Sequence, residues 1–499
     1  MNLNRRIIAA MICVLSLFFI LITHLVIFTV NPPDEFVREV ETRKSEQKEK
    51  LRKQVIRGNI YDRDEVLIAG TKEVQVEVEV PGEENETEIE TEQFRVYPYG
   101  TLYSHVVGYS RTNVRNGRTN IEMRFDDQLA TPRKEDKYAE KNSEGKKAEG
   151  ANLYLTVNTD MTKQAQSLLR GNTGSVIVMN PKTGEIYCMY SNPTFNPDSE
   201  YIGTNWNKLN SDPKKPFTSR ATQSIKEPGS TFKIVTAIAA LENGIGDYVI
   251  EDTGTTVIDG RPYTNSTSYT GKVDLIKAIE VSSNVYFAEL SQKIGSEAFQ
   301  RTAEKFYMCK GQKIKLDIPV TDPGIDFGTM SATGLAEASF GQGTVNVTPL
   351  HMAMVASAVA NGGQLMKPYL VQKIAYSDGE VLSETVPEIL SENVMSEETA
   401  KTITEGMIRC ISGKNGTGGK AAVRGVPVAG KTGTAENPSG ADHTWFIGFA
   451  PANDPQIAIC VMRENSGGSG GGMCGTIAGA MISYCRNNGY IVNSEINDD

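Results

Sequence analysis

A serine and a lysine three residues apart, Ser230 and Lys233, are a pair whose types and spacing could do chemistry. They lie in KEPGSTFKIVTAIAALENG (226–244), where Pro228-Gly229 interrupts the chain before an apolar, helix-like run. If Ser230 opens that helix, its hydroxyl and the lysine amine lie on one face. A lysine whose charge is disfavoured by burial has a lowered pKa and can accept the serine proton, which would make Ser230 a nucleophile. The alternative is an N-cap serine beside a lysine that extends to solvent.

Two further motifs follow in the chain. EVSSNVYFAEL places Ser282 and Asn284 two residues apart after a helical stretch, so that a hydroxyl and an amide can enter one cleft. VAGKTGTAE places the run Lys431-Thr432-Gly433-Thr434 on a predicted edge strand, where glycine lets a ligand approach the backbone. Taken alone, Lys431 could also be an edge-strand lysine that discourages aggregation. The three motifs together predict a shared site.

The elements that must position these residues are strands at both ends of a long region and helices between them. Helical periodicity covers 231–243, 273–293, 348–361 and 398–411. Strands are predicted at ANLYLTVNTD, TWFIGFAP and IAICVMRE, a hairpin at GSVIVMNPKTGEIYCMYSN, and helices at MTKQAQSLL and TIAGAMISYCRN. The pattern predicts one α/β domain whose sheet combines pieces distant in the chain.

The N-terminal part has a different character. Residues 7–30 carry no formal charge and are long enough to cross a membrane, and Arg5 and Arg6 before them predict a cytoplasmic N-terminus. A cleaved signal peptide is the alternative, but the apolar run is long and no A-x-A site follows it. A charged stalk helix is predicted next, then β-like runs within 57–130 (VQVEVEV, FRVYPYG, YSHVVGYS) and a polar linker at 131–150.

Charge and composition exclude several function classes. The 499 residues carry a net charge of -10, which argues against a nucleic-acid partner. The four histidines form no close pair or H-E-x-x-H motif, so a metal hydrolase or a Ser-His-Asp triad has little support. The seven cysteines contain no C-x-x-C pair and specify no disulfide.

S-x-x-K, S-x-N and K-T-G in this order resemble the motif set of penicillin-binding proteins and class A β-lactamases. RGNIYDRDEVLIA (57–69) resembles the R-G-x-I-x-D-R-x-G signature of class B penicillin-binding proteins, and YPYGTLYSHVVGY, GQGTVNVTPLHMAMVASAVANGG and HTWFIGFAP are similar to other blocks of that class. Glu65, in the signature, and Asn120, in GRTNIE, replace glycines of the family pattern. These departures put in question the loop geometry of the N-terminal module.

The resemblance implies a peptidoglycan D,D-transpeptidase that cross-links stem peptides and is acylated by β-lactams. It implies that Ser230 attacks the carbonyl of the penultimate D-Ala and releases the terminal D-Ala. Lys233 would be the base for acylation, although the base assignment is disputed in this wider family. Ser282 would relay a proton to the leaving amine.

The remaining motif residues would bind substrate. Asn284 would hold the substrate amide, Lys431 would supply positive potential, and the hydroxyls of Thr432 and Thr434 would hold the terminal carboxylate. Gly433 would allow the close approach. The backbone N–H groups of Ser230 and Thr434 would form an oxyanion hole.

The resemblance also implies an architecture and partners. The expected fold is an α/β (α+β) transpeptidase domain, β-lactamase-like, with a central antiparallel sheet flanked by helices. A β-rich N-terminal module and one transmembrane helix precede it. The expected boundaries are 1–30 for the tail and anchor in the plasma membrane, 31–150 for stalk and module, and 151–499 for the transpeptidase domain. No cofactor is expected, and a polytopic glycan polymerase is the expected protein partner. A β-lactam sensor, a β-lactamase and a non-catalytic scaffold are the alternatives.

Overall fold

A computed structural model describes residues 3–40, 42–43, 55–79, 87–111, 117–133, 147–438 and 440–492. The chain divides into two compact units, Met1–Ile56 with Ala130–Glu149, and Arg57–Leu129 with Gly150–Asp499. In the first unit, an 18-residue window of helix α1 (Leu3–Val30) has a mean hydropathy of 2.8, and the helix is, by length and composition, able to cross a membrane. Residues 34–40 and 42–43 are also helical. Residues 41 and 44–54 of the predicted stalk and most of the predicted linker, 134–146, lie outside the described residues.

The second unit is a mixed α and β structure. Its strands are β1 (Ile60–Tyr61), β2 (Leu67–Glu79), β3 (Thr87–Val96), β4 (Asn152–Leu155), β5 (Gly174–Met179), β6 (Ile186–Asn192), β7 (Ile250–Asp252), β8 (Thr255–Ile258), β9 (Arg261–Thr264), β10 (Gly271–Val273), β11 (Leu365–Met366), β12 (Val371–Ala375), β13 (Val381–Glu384), β14 (Ile389–Ser391), β15 (Ala429–Ala435), β16 (His443–Ala450) and β17 (Ile457–Arg463). The helices after α1 are α2 (Asn120–Arg124), α3 (Asp126–Ala130), α4 (Thr159–Leu169), α5 (Ser199–Ser211), α6 (Lys233–Leu241), α7 (Leu275–Val281), α8 (Asn284–Lys305), α9 (Ala332–Ser339), α10 (Pro349–Ala360), α11 (Glu397–Ser412) and α12 (Thr476–Asn487).

The central sheet is antiparallel throughout, in the order β15-β16-β17-β5-β6. All eight residues of β16 are buried. Because successive side chains of a strand point to opposite faces, both faces of this sheet must be covered. Helix α10 packs on β16 and β17, while α4 packs on β6 and α12 on β17. The predicted central antiparallel sheet flanked by helices is therefore confirmed, with β15 at its edge.

A second sheet, in the order β13-β12-β4-β1-β2-β3, joins strands from both sides of residue 150. The pair β1–β4 is parallel and the other neighbours are antiparallel. The predicted strand in ANLYLTVNTD is β4, and the predicted helix after it is α4, whose N-cap Asn158 accepts a hydrogen bond from Met161 N–H.

The prediction of a β-like run at YSHVVGYS was wrong. Residues 100–103 form a 3₁₀ turn, and turns continue through residue 107. Residues 102–110 are all buried, whereas a strand with one solvent-exposed face would bury alternate residues. The Tyr103 hydroxyl donates to Thr159 Oγ1 at 3.0 Å, so the segment folds into the core as a compact turn.

The two departures from the family glycine pattern both occur at left-handed backbone positions. Glu65 has φ +60° and Asn120 has φ +51°. This region favours glycine, and asparagine is the side-chain-bearing residue that adopts it most readily. The Asn120 amide also donates to His105 O at 2.8 Å, which ties the turn to the preceding segment. The loops therefore keep the conformation that glycine would give them.

Candidate active site

The nucleophile candidate lies in a tight turn. Gly229–Phe232 form a 3₁₀ turn that continues into α6 at Lys233. Gly229 has φ +54°, and a Cβ there would lie 2.5 Å from the Thr434 carbonyl oxygen, so only glycine fits. The Gly229 N–H donates to Gly341 O at 2.9 Å. Ser230 is half-buried, and its hydroxyl has no hydrogen-bond partner within the part of the chain that the structure describes.

The Lys233 side chain is completely buried at the start of α6. Its amine donates to Ser282 O at 2.7 Å and to Asn284 Oδ1 at 2.8 Å, and it lies 3.2 Å from Ser282 Oγ. Burial, followed by the charge of Lys431, lowers the Lys233 pKa well below its ordinary value. The structure thus buries the amine among polar partners, and its lowered pKa suits a base.

Ser282 occupies a sharp turn between two helices. It ends α7 in the left-handed conformation, with φ +58° and ψ +42°. Ser283 then caps α8, accepting from Tyr286 N–H at 2.9 Å, and Asn284 is the first residue of that helix. This turn directs both the carbonyl and the hydroxyl of Ser282 to Lys233. A left-handed serine is sparsely populated, which is typical of functional positions.

The edge strand β15 divides its motif between two faces. Lys431 and Gly433 lie on one face and Thr432 and Thr434 on the other, because side chains alternate along a strand. The Lys431 amine is fully buried and donates to Ser282 Oγ at 2.8 Å and to Thr432 O at 3.0 Å. A Cβ at Gly433 would lie 2.6 Å from Pro228 O, so the strand and the serine turn touch backbone to backbone.

Two buried amines therefore share one hydroxyl. Burial lowers the pKa of Lys431 as well. Two ammonium groups around one hydroxyl repel each other, so the arrangement favours one neutral amine. A neutral amine has a lone pair, to which the Ser282 hydroxyl can donate while it accepts from the other amine. The geometry thus provides a proton relay between two lysines.

The structure joins some of the predicted site residues directly. Hydrogen bonds connect Lys233, Ser282, Asn284 and Lys431, and Gly229 and Gly433 hold the Ser230 turn against β15. The two threonine hydroxyls contact other groups instead.

Thr432 Oγ1 lies 2.6 Å from Thr417 Oγ1. Thr434 Oγ1 accepts from Gly470 N–H at 3.1 Å. Sequence reasoning missed Thr417 and Gly341 as neighbours of the site. Gly341 lies in a block that resembles the family, whereas Thr417 gave no local signal.

Comparisons with known proteins identify the family of the chain. Residues 174–483 match the family described as penicillin binding protein transpeptidase domain. The peptidoglycan D,D-transpeptidase PbpA of Mycolicibacterium smegmatis is 31% identical over 79% of this chain and 84% of its own. The D,D-transpeptidase domain of a peptidoglycan glycosyltransferase from Eggerthella lenta superposes with a TM-score of 0.74 at 30% identity, over 88% of this chain and 100% of that one.

A further similar structure is penicillin-binding protein A of Mycobacterium tuberculosis as its penicillin G acyl-enzyme complex, with a TM-score of 0.73 and 26% identity, over 87% of this chain and 100% of that one. The family match spans 310 of 499 residues, from β5 through most of α12, and so contains all three motifs. The chain therefore belongs to the penicillin-binding protein transpeptidases, as a class B member.

Proposed function

We propose that this protein is a serine-type peptidoglycan D,D-transpeptidase, which cross-links stem peptides through an acyl-enzyme and is acylated by β-lactams. The observation that carries the proposal is the convergence of Lys233 and Lys431 on the Ser282 hydroxyl, 3.2 and 2.8 Å away. If Ser230 were only a helix cap, no structural reason would remain for burying two lysines from distant parts of the chain beside one hydroxyl. The names of the similar proteins, which include D,D-transpeptidases and a penicillin G acyl-enzyme, support the same activity.

In the acylation step, Ser230 Oγ attacks the carbonyl carbon of the penultimate D-Ala and transfers its proton to neutral Lys233. The new C–O bond gives a tetrahedral intermediate. The bond from that carbon to the nitrogen of the terminal D-Ala then breaks, and the leaving nitrogen takes a proton through Ser282. The products are free D-Ala and an ester on Ser230.

The substrate groups meet donors on β15 and α8. The N–H of Ser230 lies in the first helical turn, where backbone N–H groups lack intrahelical acceptors, and pairs with that of Thr434 as the oxyanion hole. Asn284 holds the substrate amide. The hydroxyls of Thr432 and Thr434 hold the terminal carboxylate, Lys431 supplies positive potential, and Gly433 keeps the strand close to the serine.

In the second step, an amine of another stem peptide attacks the ester carbonyl. A C–N bond forms, the C–O bond to Ser230 breaks, and the proton lost by the amine returns to the serine. The cross-link is complete and the enzyme is regenerated. A β-lactam follows the first step alone, because its opened ring remains attached to the carbonyl and blocks the acceptor.

The test uses two substrates on purified full-length protein in detergent. Wild-type protein labels with fluorescent penicillin and transfers a D-Ala-D-Ala stem peptide to an amine acceptor, while Ser230→Ala does neither. Ser412→Ala, an exposed helical serine, is the matched control and retains both. Labelling without transfer indicates a β-lactam sensor, and rapid hydrolysis of the label indicates a β-lactamase. Normal complementation of a depletion strain by Ser230→Ala indicates a scaffold; each of these results refutes the proposal.

We further propose that α1 anchors the protein in the bacterial plasma membrane with a cytoplasmic N-terminus and an extracytoplasmic catalytic domain. The charges at Arg5 and Arg6 support this orientation. Residues 31–150 form the stalk and non-catalytic module, residues 151–499 form the transpeptidase domain, and a polytopic glycan polymerase is the partner. Accessibility of cysteine probes at each end of α1 in intact cells tests the orientation, and labelling of an N-terminal site from outside would contradict it.

A further inference from the structure

A buried carboxylate lies behind the Ser282 turn. Asp252, the last residue of β7, is 1% exposed. One of its oxygens accepts from Gly254 N–H at 2.8 Å, and the other accepts from the Ser283 hydroxyl at 2.6 Å. The Asn265 amide donates to both oxygens, at 3.0 and 2.9 Å. Burying a carboxylate costs free energy unless its oxygens accept hydrogen bonds. Both oxygens of Asp252 accept such bonds, and these contacts hold the side chain in one position.

Asn265 extends this support to the start of α8. Its side-chain oxygen accepts from Val285 N–H at 3.1 Å and lies 3.3 Å from Ser283 Oγ. The adjacent carbonyl of Thr264 accepts from the Asn284 amide at 2.9 Å. Ser283 therefore hydrogen-bonds to Asp252 and Asn265. Its two neighbours in the chain, Ser282 and Asn284, hydrogen-bond to Lys233 instead. The turn is fixed between these two sets of contacts.

We propose that Asp252, acting with Asn265, is a positioning residue that holds the left-handed Ser282 turn and so sets the Ser282 hydroxyl between the two lysine amines. This inference rests on the proposed transpeptidase function and assigns residues that lie outside its three motifs. Asp252 does not touch the substrate. It acts through Ser283, whose hydroxyl has one proton to donate and gives it to Asp252.

The charge of Asp252 should also affect the pH dependence of acylation, which a purely structural role would leave unchanged. The groups that act on the Lys233 amine are Lys431 on β15, Asp252 on β7 and Cys410 on α11, with the neutral Asn284 and the ring of Phe287 on α8. The negative charge of Asp252 raises the pKa of Lys233 against the lowering caused by burial and Lys431. Without that charge the amine stays neutral to lower pH, so the acid limb of the acylation profile must move to lower pH.

The test is Asp252→Asn in the full-length protein, followed by the second-order rate of labelling with fluorescent penicillin between pH 4 and 10. Asparagine has one acceptor oxygen where the carboxylate has two, so one donor loses its partner and the turn shifts. The plateau rate is expected to fall about 10- to 100-fold, the scale of a displacement approaching 1 Å at a reacting group. The acid limb is expected at lower pH than in the wild type.

Ser283→Ala and the double variant test whether the effect passes through this hydroxyl. Their losses in rate are expected to be strongly non-additive, because each single change removes the same contact. Asp62→Asn is the matched control, since Asp62 is also fully buried and accepts from Asp64 N–H, Val66 N–H and Thr159 N–H at 2.9 Å. It is expected to lower stability and leave the acid limb in place.

Two results overturn the inference. One is a folded Asp252→Asn variant whose plateau labelling rate and acid limb equal those of the wild type. The other is a lower labelling rate with an unmoved acid limb, together with additive rate losses in the double variant. Thermal melting of every variant identifies the folded fraction used to normalise the rates. The proposed function fails in a different way, through a wild-type protein that does not label at all. The two failures are therefore distinguishable in one experiment.

Discussion

Replacing Gly433 by alanine tests whether β15 positions the nucleophile through direct backbone contact. A Cβ at this position would lie 2.6 Å from Pro228 O, about 0.8 Å short of the 3.4 Å at which ordinary Cβ contacts begin. It would also lie 3.0 Å from the Thr231 side chain and 3.2 Å from Thr231 N. Two of these three atoms are backbone, so no flexible side chain can absorb the overlap. The serine turn itself must move.

The magnitude follows from that displacement. A shift approaching 1 Å at a reacting group costs about 10²-fold in rate, so the limiting acylation rate of Gly433→Ala should fall by that order. The added methyl points at the serine turn, so non-covalent binding of the β-lactam should change much less. Overpacking should also lower the free energy of unfolding by about 1–3 kcal/mol.

The assay is a time course of fluorescent-penicillin labelling at several concentrations, which separates the limiting rate from the dissociation constant. Gly419→Ala is the matched control, since its Cβ would have 3.7 Å to its nearest neighbour and its φ is not positive. A limiting rate for Gly433→Ala within about threefold of this control would refute the backbone-contact argument. So would a loss confined to the dissociation constant, because it would place the methyl in the ligand's path.

Three further predictions concern charge and backbone conformation. Lys431→Met removes a positive charge that lowers the pKa of Lys233, so that pKa rises and the acid limb of acylation moves to higher pH; an unmoved limb in a pH–rate profile would contradict this. Glu122→Gln removes the carboxylate that pairs with two buried arginines, of which Arg57 keeps Asp126, and should cost about 3–5 kcal/mol in urea unfolding at pH 7. Burial opposes the ionisation of Glu122, but the arginines hold its pKa below the ordinary value. The stability that Glu122 contributes is therefore present above its pKa in the unfolded chain and is lost as the pH falls through its pKa in the folded protein. Equal stability of wild type and variant at pH 7 would exclude this contribution. Glu65→Gly relieves a left-handed glutamate and should raise thermal stability slightly, by roughly 0.5 kcal/mol after glycine's entropy cost, whereas Glu392→Gly, at a position without positive φ, should lower it.

The elements that were predicted correctly from the sequence are those with a regular helical or strand periodicity. The last predicted helix coincides with α12, and the hairpin around residues 180–184 joins β5 to β6 as expected. The predicted edge position of Lys431 is also found, because alternation and a glycine near a strand end mark such strands. These signals are local, since each needs only neighbouring residues.

The details that build the site were less accessible. Apolar periodicity continues from 273 to 293, so no local pattern indicates that the helix breaks at Ser282 and begins again at Asn284. The break consists of left-handed Ser282 and extended Ser283, and serine has little preference for the left-handed conformation. The contribution of Asp252 was invisible for a related reason. It lies 31 residues before Ser283, and only the folded chain brings the two side chains together.

Charge balance explains why two lysines can share this pocket. Asp252 is the carboxylate whose charge acts on Lys233, and burial penalises every charge placed there. One ammonium and one carboxylate leave the pocket neutral, whereas two ammonium groups leave a net positive charge in a region excluded from water. We therefore expect one of the two amines to lack its proton at neutral pH. Burial lowers the pKa of both amines, and Lys233 lies within one turn of Ser230, so we expect Lys233 to be the amine that lacks this proton. A neutral Lys233 amine can accept the Ser230 proton, so the cost of burying a second lysine favours the basic form that the reaction needs.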